Sequence, residues 1–346
     1  MSPIGSWTDG GTPAGPAGPS DRNQVDGATR KVARSMRRLP AIALRILGGV
    51  LLAATFLVAP LATTPATGMP GCPDMSGRID VFSLMAPSLG HSARISVYVP
   101  PGYDCDRSRR YPVFYFNDGQ QIFGWRSPTS GISPEVAAQI IVQSEGYGSW
   151  RVDEQFAQAA ADGLLPPMIA VGISSDSGPR SRNLAPVPWA GSIEARGVQY
   201  GEFVARGVVP VIDSRYRTRA DRACRGIAGS SLGGASALQI GLAHPREFSL
   251  VIALSPVIGD PAIAAYLAER WQSPHFDLPT SILVDFDDDP VGHADRQWLS
   301  DFLDTIGRTQ HSSTIWQTVG GSHTIGSWAE RVVPALESVL EGRCAD

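Results

Sequence analysis

A serine hydroxyl attacks a carbonyl only with help. It needs a backbone that holds it out of the fold, a base for its proton, an acid to orient that base, and donors for the oxyanion that forms. In this 346-residue chain Gly229-Ser-Ser-Leu-Gly233 is a G-x-S-x-G frame centred on Ser231. A short apolar run, 226–228, precedes it, and a helix-tolerant run with Ala235, Leu238, Ile240 and Leu242 follows. Strand, sharp turn and helix are the setting in which a nucleophile stands above a sheet, and Gly229, Gly233 and Gly234 take away Cβ atoms that would clash in so tight a turn. The first turn of the helix then points free N–H groups at the reaction centre. The frame by itself is weak, since a chain with 37 glycines meets such a spacing by accident about 0.4 times.

The base has to come from six histidines. His91 falls in a predicted hairpin turn, His244 follows the helix after Ser231, and His275 and His311 sit in polar connections. His323 differs, because Val319-Gly-Gly-Ser-His-Thr follows the last predicted strand and precedes a helix, which is where a base arriving last in the order Ser, Asp, His belongs. The acid should lie between them, after the strand at 281–286, where Asp285, Asp287, Asp288 and Asp289 crowd together and Asp295 follows. So many like charges repel, so most should face water, and a solvated acidic turn or a calcium site is the alternative. Asp289 is the expected triad acid and Asp288 the second choice. The backbone N–H of Leu232 supplies one oxyanion donor; Gly119, in the turn after the strand ending near Phe116, lets the N–H of Gln120 supply the other.

These groups need a scaffold, and from residue 77 onward strand-like and helix-like runs alternate. Runs at 78–84 and 93–99 read as a hairpin closed by Pro87-Ser-Leu-Gly90; further strands are expected at 111–116, 168–173, 226–228, 250–254, 281–286 and 313–319. Helices are expected near 134–145, 152–163, 198–213, 235–243, 260–270, 294–306 and 327–341. Alternation of this kind predicts an α/β fold, a mostly parallel sheet with helices on both faces and an antiparallel hairpin at its start. No repeat or long Pro/Gly/Ser linker divides the region, so 67–346 is expected to be a single domain, with ligands bound beyond the carboxyl ends of the strands.

Net charge is −4, unevenly spread: before residue 46 seven cations meet three aspartates, leaving +4 there and −8 in the remainder. An acidic body disfavours nucleic acid as a partner. Residues 1–40 are rich in Gly, Pro, Ser and Arg and too poor in apolar side chains to fold. A basic stretch, the apolar run 46–58 and the small residues 59–68 follow in the order of an export signal, with Thr64-Pro-Ala66 as a cleavage candidate. An uncleaved anchor through 41–62 is the alternative, so 41–66 is a signal peptide or a membrane anchor. Either places the body outside the cytoplasm, where Cys72, Cys105, Cys224 and Cys344 would form two disulfides; of three connectivities, 72–105 with 224–344 is preferred. Their wide spacing predicts no zinc site.

Several runs resemble the putative-esterase family of α/β-hydrolases, which spans esterase D-type thioesterases, siderophore, feruloyl and acetyl-xylan esterases, and mycolyltransferases. They are Val97-Tyr-Val-Pro-Pro-Gly-Tyr103, Tyr111-Pro-Val-Phe-Tyr-Phe-Asn-Asp-Gly-Gln120, Pro167-Met-Ile-Ala-Val-Gly-Ile173, Arg180-Ser-Arg-Asn-Leu-Ala-Pro186, Phe203 through Val208-Val-Pro-Val-Ile-Asp to Tyr216-Arg-Thr, Ile227-Ala-Gly-Ser-Ser-Leu-Gly-Gly234, Leu254-Ser-Pro256 and Gly320-Gly-Ser-His323, in family order over about 78–341. The resemblance implies Ser231 as nucleophile and His323 as base. It departs at three places: no glycine interrupts the acidic turn, Ser322 stands between the glycines and His323, and Asn183 replaces an acid. The expected activity is an exported serine esterase acting without metal or organic cofactor on a small-molecule or cell-envelope ester. An acyltransferase of mycolyltransferase type and a non-catalytic envelope-binding protein are the rivals. Trp125, Trp150 and Trp189 could line a cleft or merely pack, and the oligomeric state is not legible.

Overall fold

The computed structural model describes residues 77–124, 148–175, 180–189, 194–272, 281–288, 292, 295–300 and 314–344. The expected features at 1–66, the helix near 134–145, Cys72, Trp125, His275, His311 and Asp289 lie outside them. All the described residues fall in one compact unit, Thr64–Asp346.

Among the described residues there are eight strands: β1 (Arg78–Ala86), β2 (His91–Val99), β3 (Val113–Asn117), β4 (Ile169–Ile173), β5 (Arg225–Ser230), β6 (Leu250–Leu254), β7 (Ser281–Phe286) and β8 (Thr314–Val319). They form a single sheet in the order β1-β2-β4-β3-β5-β6-β7-β8. The first two pairings are antiparallel and the other five parallel. Among the described residues the named helices are α1 (Val152–Ala161), α2 (Arg180–Leu184), α3 (Gly197–Glu202), α4 (Val209–Arg215), α5 (Leu232–Ala243), α6 (Pro261–Gln272) and α7 (Ile325–Leu340), with a π-helical stretch, Phe203–Val208, joining α3 to α4; residues 295–300 are helical as well. Helix α2 lies outside the runs expected to be helical.

Strands β3 to β7 are buried along their whole length because helices cover both faces, which is why each reads as a nearly unbroken apolar run. Alternation sorts their side chains into two cores. Tyr115, Val171, Ile227, Val251 and Val284 pack with Leu232, Ile240 and Ile263 of α5 and α6. Phe114, Phe116, Ala170, Ile252 and Leu283 pack on the opposite face with Phe156 of α1 and with Trp328, Val332 and Leu336 of α7. Helix α5 is buried from Leu232 to Leu242, so its apolar residues run all round it, whereas α7 buries one stripe.

A disulfide joins Cys224, just before β5, to Cys344, just after α7, with a Cα–Cα distance of 5.4 Å. Cys105 is also disulfide-bonded. Among the described residues no helix is long and apolar enough to cross a membrane.

Candidate active site

Strand β5 ends at Ser230 and α5 begins at Leu232, leaving Ser231 alone in the turn at φ 55°, ψ −127°. A side chain held there costs on the order of 1–3 kcal/mol and persists only where its surroundings fix it. Here the Ser231 N–H donates to the Leu254 carbonyl at 2.9 Å, while the Ser231 carbonyl accepts from Gly234 at 3.0 Å and Ala235 at 3.1 Å. The turn is so tight that a Cβ on Gly229 would stand 2.3 Å from the Gly233 carbonyl oxygen. Helix α5 thus starts one residue after the hydroxyl, and the Leu232 N–H, at its first position, has no intrahelical acceptor.

His323 comes from the loop between β8 and α7. Its Nε2 lies 2.9 Å from Ser231 Oγ and its Nδ1 2.6 Å from Asp287 Oδ2. The next residue, Thr324, caps α7 by accepting from the Ser327 N–H, so the helix start fixes where the imidazole stands. Ser322 does not displace it: its N–H donates to Ser327 Oγ at 3.0 Å, and the histidine still reaches the serine. The Trp328 indole meets the imidazole edge-on, ring centres 4.9 Å apart. His244 instead lies 3.7 Å from Glu202, and His91 faces Asn183 at 3.3 Å.

The carboxylate on His323 is therefore that of Asp287, and the choice of Asp289 or Asp288 is corrected. Asp287 is the first residue past β7 and is buried, whereas Asp288 is exposed and its N–H donates to the Gly321 carbonyl. The argument from repulsion failed because it left out a cation. Arg331 of α7 sits between Asp285 and Asp287, with Nη1 3.0 Å from Asp285 Oδ2 and Nη2 3.3 Å from Asp287 Oδ1. Two of the four carboxylates can therefore turn inward together.

Ser255, at φ 43°, completes this support. Its hydroxyl donates to Asp287 Oδ1 at 2.6 Å and accepts from Trp328 Nε1 at 3.0 Å and Arg331 Nη2 at 3.1 Å, which uses its one donor and both lone pairs. Its N–H donates to Asp285 Oδ1 at 2.8 Å. Burial pushes the Asp285 carboxyl up to about 6, against the opposing pull of Arg331 and the Ser255 N–H. Sequence reading missed Ser255, Arg331 and Trp328. The one available signal was that Arg331 falls two helical turns into α7, eight residues after the histidine.

On the other side of Ser231, β3 ends in Asn117 and the chain turns through Asp118 (φ 56°) into a single 3-10 turn, Gly119–Gln121. A Cβ on Gly119 would lie 2.4 Å from the Gly172 carbonyl carbon, so only glycine fits between this turn and β4. Asn117 Nδ2 donates to the Gly233 carbonyl at 2.8 Å and its Oδ1 accepts from the Tyr200 hydroxyl at 2.9 Å. That pair ties the turn carrying Gln120 to the start of α5 carrying Leu232, since β3 and β5 are neighbours in the sheet. Asp118 also pairs with Arg180 of α2. Burial works against the Arg180 charge, but the attraction and hydrogen bonds of Asp118 hold its pKa above the ordinary value.

Chemically, a hydroxyl, an imidazole and a buried carboxylate in series can pass a proton from oxygen to nitrogen and hold the resulting imidazolium. Among the described residues no group of His, Cys, Asp or Glu is arranged to hold a metal ion. Trp150 is buried against Phe116 and Trp328, and Trp189 packs partly buried on the core.

Solved structures share this architecture. A ferulic acid esterase superposes with a TM-score of 0.56 at 19% identity, covering 77% of this chain and 98% of its own. An IroE-like serine hydrolase from Shewanella oneidensis gives 0.54 at 17% identity, with coverage of 75% and 79%. An enterobactin esterase from Shigella flexneri gives 0.52 at 17% identity over 79% of this chain; the match spans only 61% of that longer protein. At such identities the likeness is one of fold. Family membership rests on sequence, since the model of the family described as "Putative esterase" matches residues 86–336. With the matched segment spanning most of the chain and enclosing both Ser231 and His323, the protein belongs to the putative-esterase family and is a carboxylic ester hydrolase of α/β-hydrolase fold.

Proposed function

We propose that the protein hydrolyses a carboxylic ester or thioester through an acyl-enzyme, with Ser231 as nucleophile, His323 as general base and Asp287 as the orienting acid. Ser231 Oγ forms a bond to the acyl carbon as its proton passes to His323 Nε2. The N–H groups of Leu232 and Gln120 receive the oxyanion. Collapse of the tetrahedral adduct breaks the bond to the alcohol, which leaves with the proton from His323. Water then gives a proton to the same nitrogen and attacks the acyl carbon; the second collapse releases the acid and restores Ser231. The single observation that carries this reading is the series of two short hydrogen bonds, 2.9 Å from His323 to Ser231 and 2.6 Å from His323 to Asp287.

The substrate class we infer is a small ester, in keeping with a ferulic acid esterase and an enterobactin esterase among the proteins of like fold. Export fits the basic and apolar runs before residue 66 and the disulfide-bonded body, and 41–62 remains the candidate segment for any membrane association. A fluorophosphonate should label the wild type and not Ser231→Ala, and p-nitrophenyl ester turnover should disappear in the same variant. Labelling or turnover that survives the substitution would sink the reading.

A further inference from the structure

Next to the elbow lies a second buried carboxylate that the triad does not use. Asp118 is 5% exposed and sits at φ 56°, a left-handed conformation uncommon outside glycine, though aspartate tolerates it better than most residues. Donors from three residues hold it: Arg180, Ser175 and, 3.4 Å from Oδ1, the Gln120 side-chain amide. Arg180 straddles the carboxylate, Nε 2.8 Å from Oδ1 and Nη2 2.7 Å from Oδ2, and the Ser175 hydroxyl donates to Oδ1 at 2.5 Å. Gln120 closes the ring: its Nε2 lies 3.1 Å from Ser175 Oγ, and its Oε1 accepts from the Ser175 N–H at 3.1 Å. The side chain of Gln120 is thus spent on this cluster, and what it leaves for the reaction is its backbone. Asp118 also abuts the first turn of α5, since a Cβ on Gly233 would stand 2.7 Å from Asp118 Oδ2.

We propose that the Arg180–Asp118 pair is a positioning device for the oxyanion site: it locks the left-handed turn that aims the Gln120 N–H at the carbonyl oxygen beside Ser231. This rests on the reading of Gln120 as an oxyanion donor. A planar fork that engages both carboxylate oxygens fixes the rotation of Asp118 about its side-chain bonds, which a point charge cannot do. The Arg180 side chain is itself 38% exposed, so a substrate-binding role is the competing account. The two roles separate in kinetics. A donor that strengthens only in the transition state shows in kcat, whereas a substrate contact made equally in ground and transition state shows in KM.

The experiment is steady-state turnover of a short p-nitrophenyl ester by Arg180→Ala, together with its fluorophosphonate labelling rate. Removing an oxyanion donor outright costs roughly 100- to 1,000-fold in kcat, so loosening one should cost about 10- to 100-fold. The expected result is that kcat and the labelling rate fall together with KM within about twofold. The pH profile of kcat/KM should keep its midpoint, because the base is untouched, and added guanidinium chloride at low concentration should restore part of kcat where urea does not. Unchanged kcat, a loss confined to KM, or a shifted midpoint overturns the proposal. If Arg180→Ala does not fold, Arg180→Lys takes its place: the charge is kept without the fork, kcat should still fall several-fold, and wild-type kcat overturns the idea. Turnover surviving in Ser231→Ala would instead strike at the triad reading itself.

Discussion

A histidine becomes a useful base only when the acid behind it fixes its tautomer and stabilises the imidazolium. Asp287 is placed for that task, and Asp288, one residue on, is not. Asp287→Asn should therefore lower kcat by about 1,000- to 10,000-fold through the wrong tautomer, while Asp288→Ala should stay within about twofold of wild type. Equal losses in the two variants would remove Asp287 from its role. Its neighbour Asp285 gives a different signature. The usual carboxyl value in an unfolded chain is near 4, and burial raises it in the folded protein to about 6. The folded state therefore holds the proton more tightly. The stabilisation is fully present below about pH 4 and is lost as pH rises through about 6, a change of about 2–3 kcal/mol. The difference in unfolding free energy between wild type and Asp285→Asn, followed by urea denaturation from pH 4 to 7, should fall by that amount. A difference that does not vary with pH would contradict it. Why was the acid misread from sequence? Like-charge repulsion along 285–289 is a local argument, and its neutralising cation, Arg331, lies more than forty residues away, brought in only by the packing of α7 on the sheet.

The elements were legible in proportion to how far burial alone determined them. Strands β6 and β7 coincide with the expected 250–254 and 281–286 because a strand covered on both faces must be apolar throughout. The run expected as one helix at 198–213 is instead α3, a π-helical stretch and α4. Pro210 in that run lacks an N–H and crowds the preceding turn, so regular i to i−4 bonding cannot pass through it. Helix α5 was expected from 235 and begins at Leu232, because Gly233 and Gly234 lower helix propensity while the elbow needs them there. Their requirement is steric. On Gly229, a Cβ would meet backbone atoms, the Gly233 oxygen at 2.3 Å and carbon at 2.5 Å, which cannot yield without moving the start of α5. Gly229→Ala is therefore expected to destabilise the protein by about 2–4 kcal/mol and to lower kcat in whatever fraction folds. Wild-type stability by urea denaturation would mean that the elbow is looser than its geometry implies.

Taken whole, the proposed catalytic groups come from three distant parts of the chain: Ser231 after β5, Asp287 after β7 and His323 before α7. The sheet fixes the first two by parallel pairing of β5, β6 and β7. The third depends on α7 staying docked, since His323 precedes its cap and both Trp328 and Arg331 are carried on it. The Cys224–Cys344 bridge ties the far end of α7 to the residue before β5, closing a separation of 120 residues. Constraining a loop of that length in the unfolded chain is worth about 5 kcal/mol in the chain-entropy account, and native bridges typically return 2–5. The bridge lies at the opposite end of α7 from His323, so its contribution should be to global stability and not to the geometry of the triad. Replacing both cysteines, Cys224→Ala with Cys344→Ala, should lower the unfolding free energy by about 2–5 kcal/mol while kcat, measured well below the transition, stays within about twofold. A large loss of kcat in the folded double variant would show that the bridge also sets the register of α7 against the sheet, and with it the reach of His323 to Ser231.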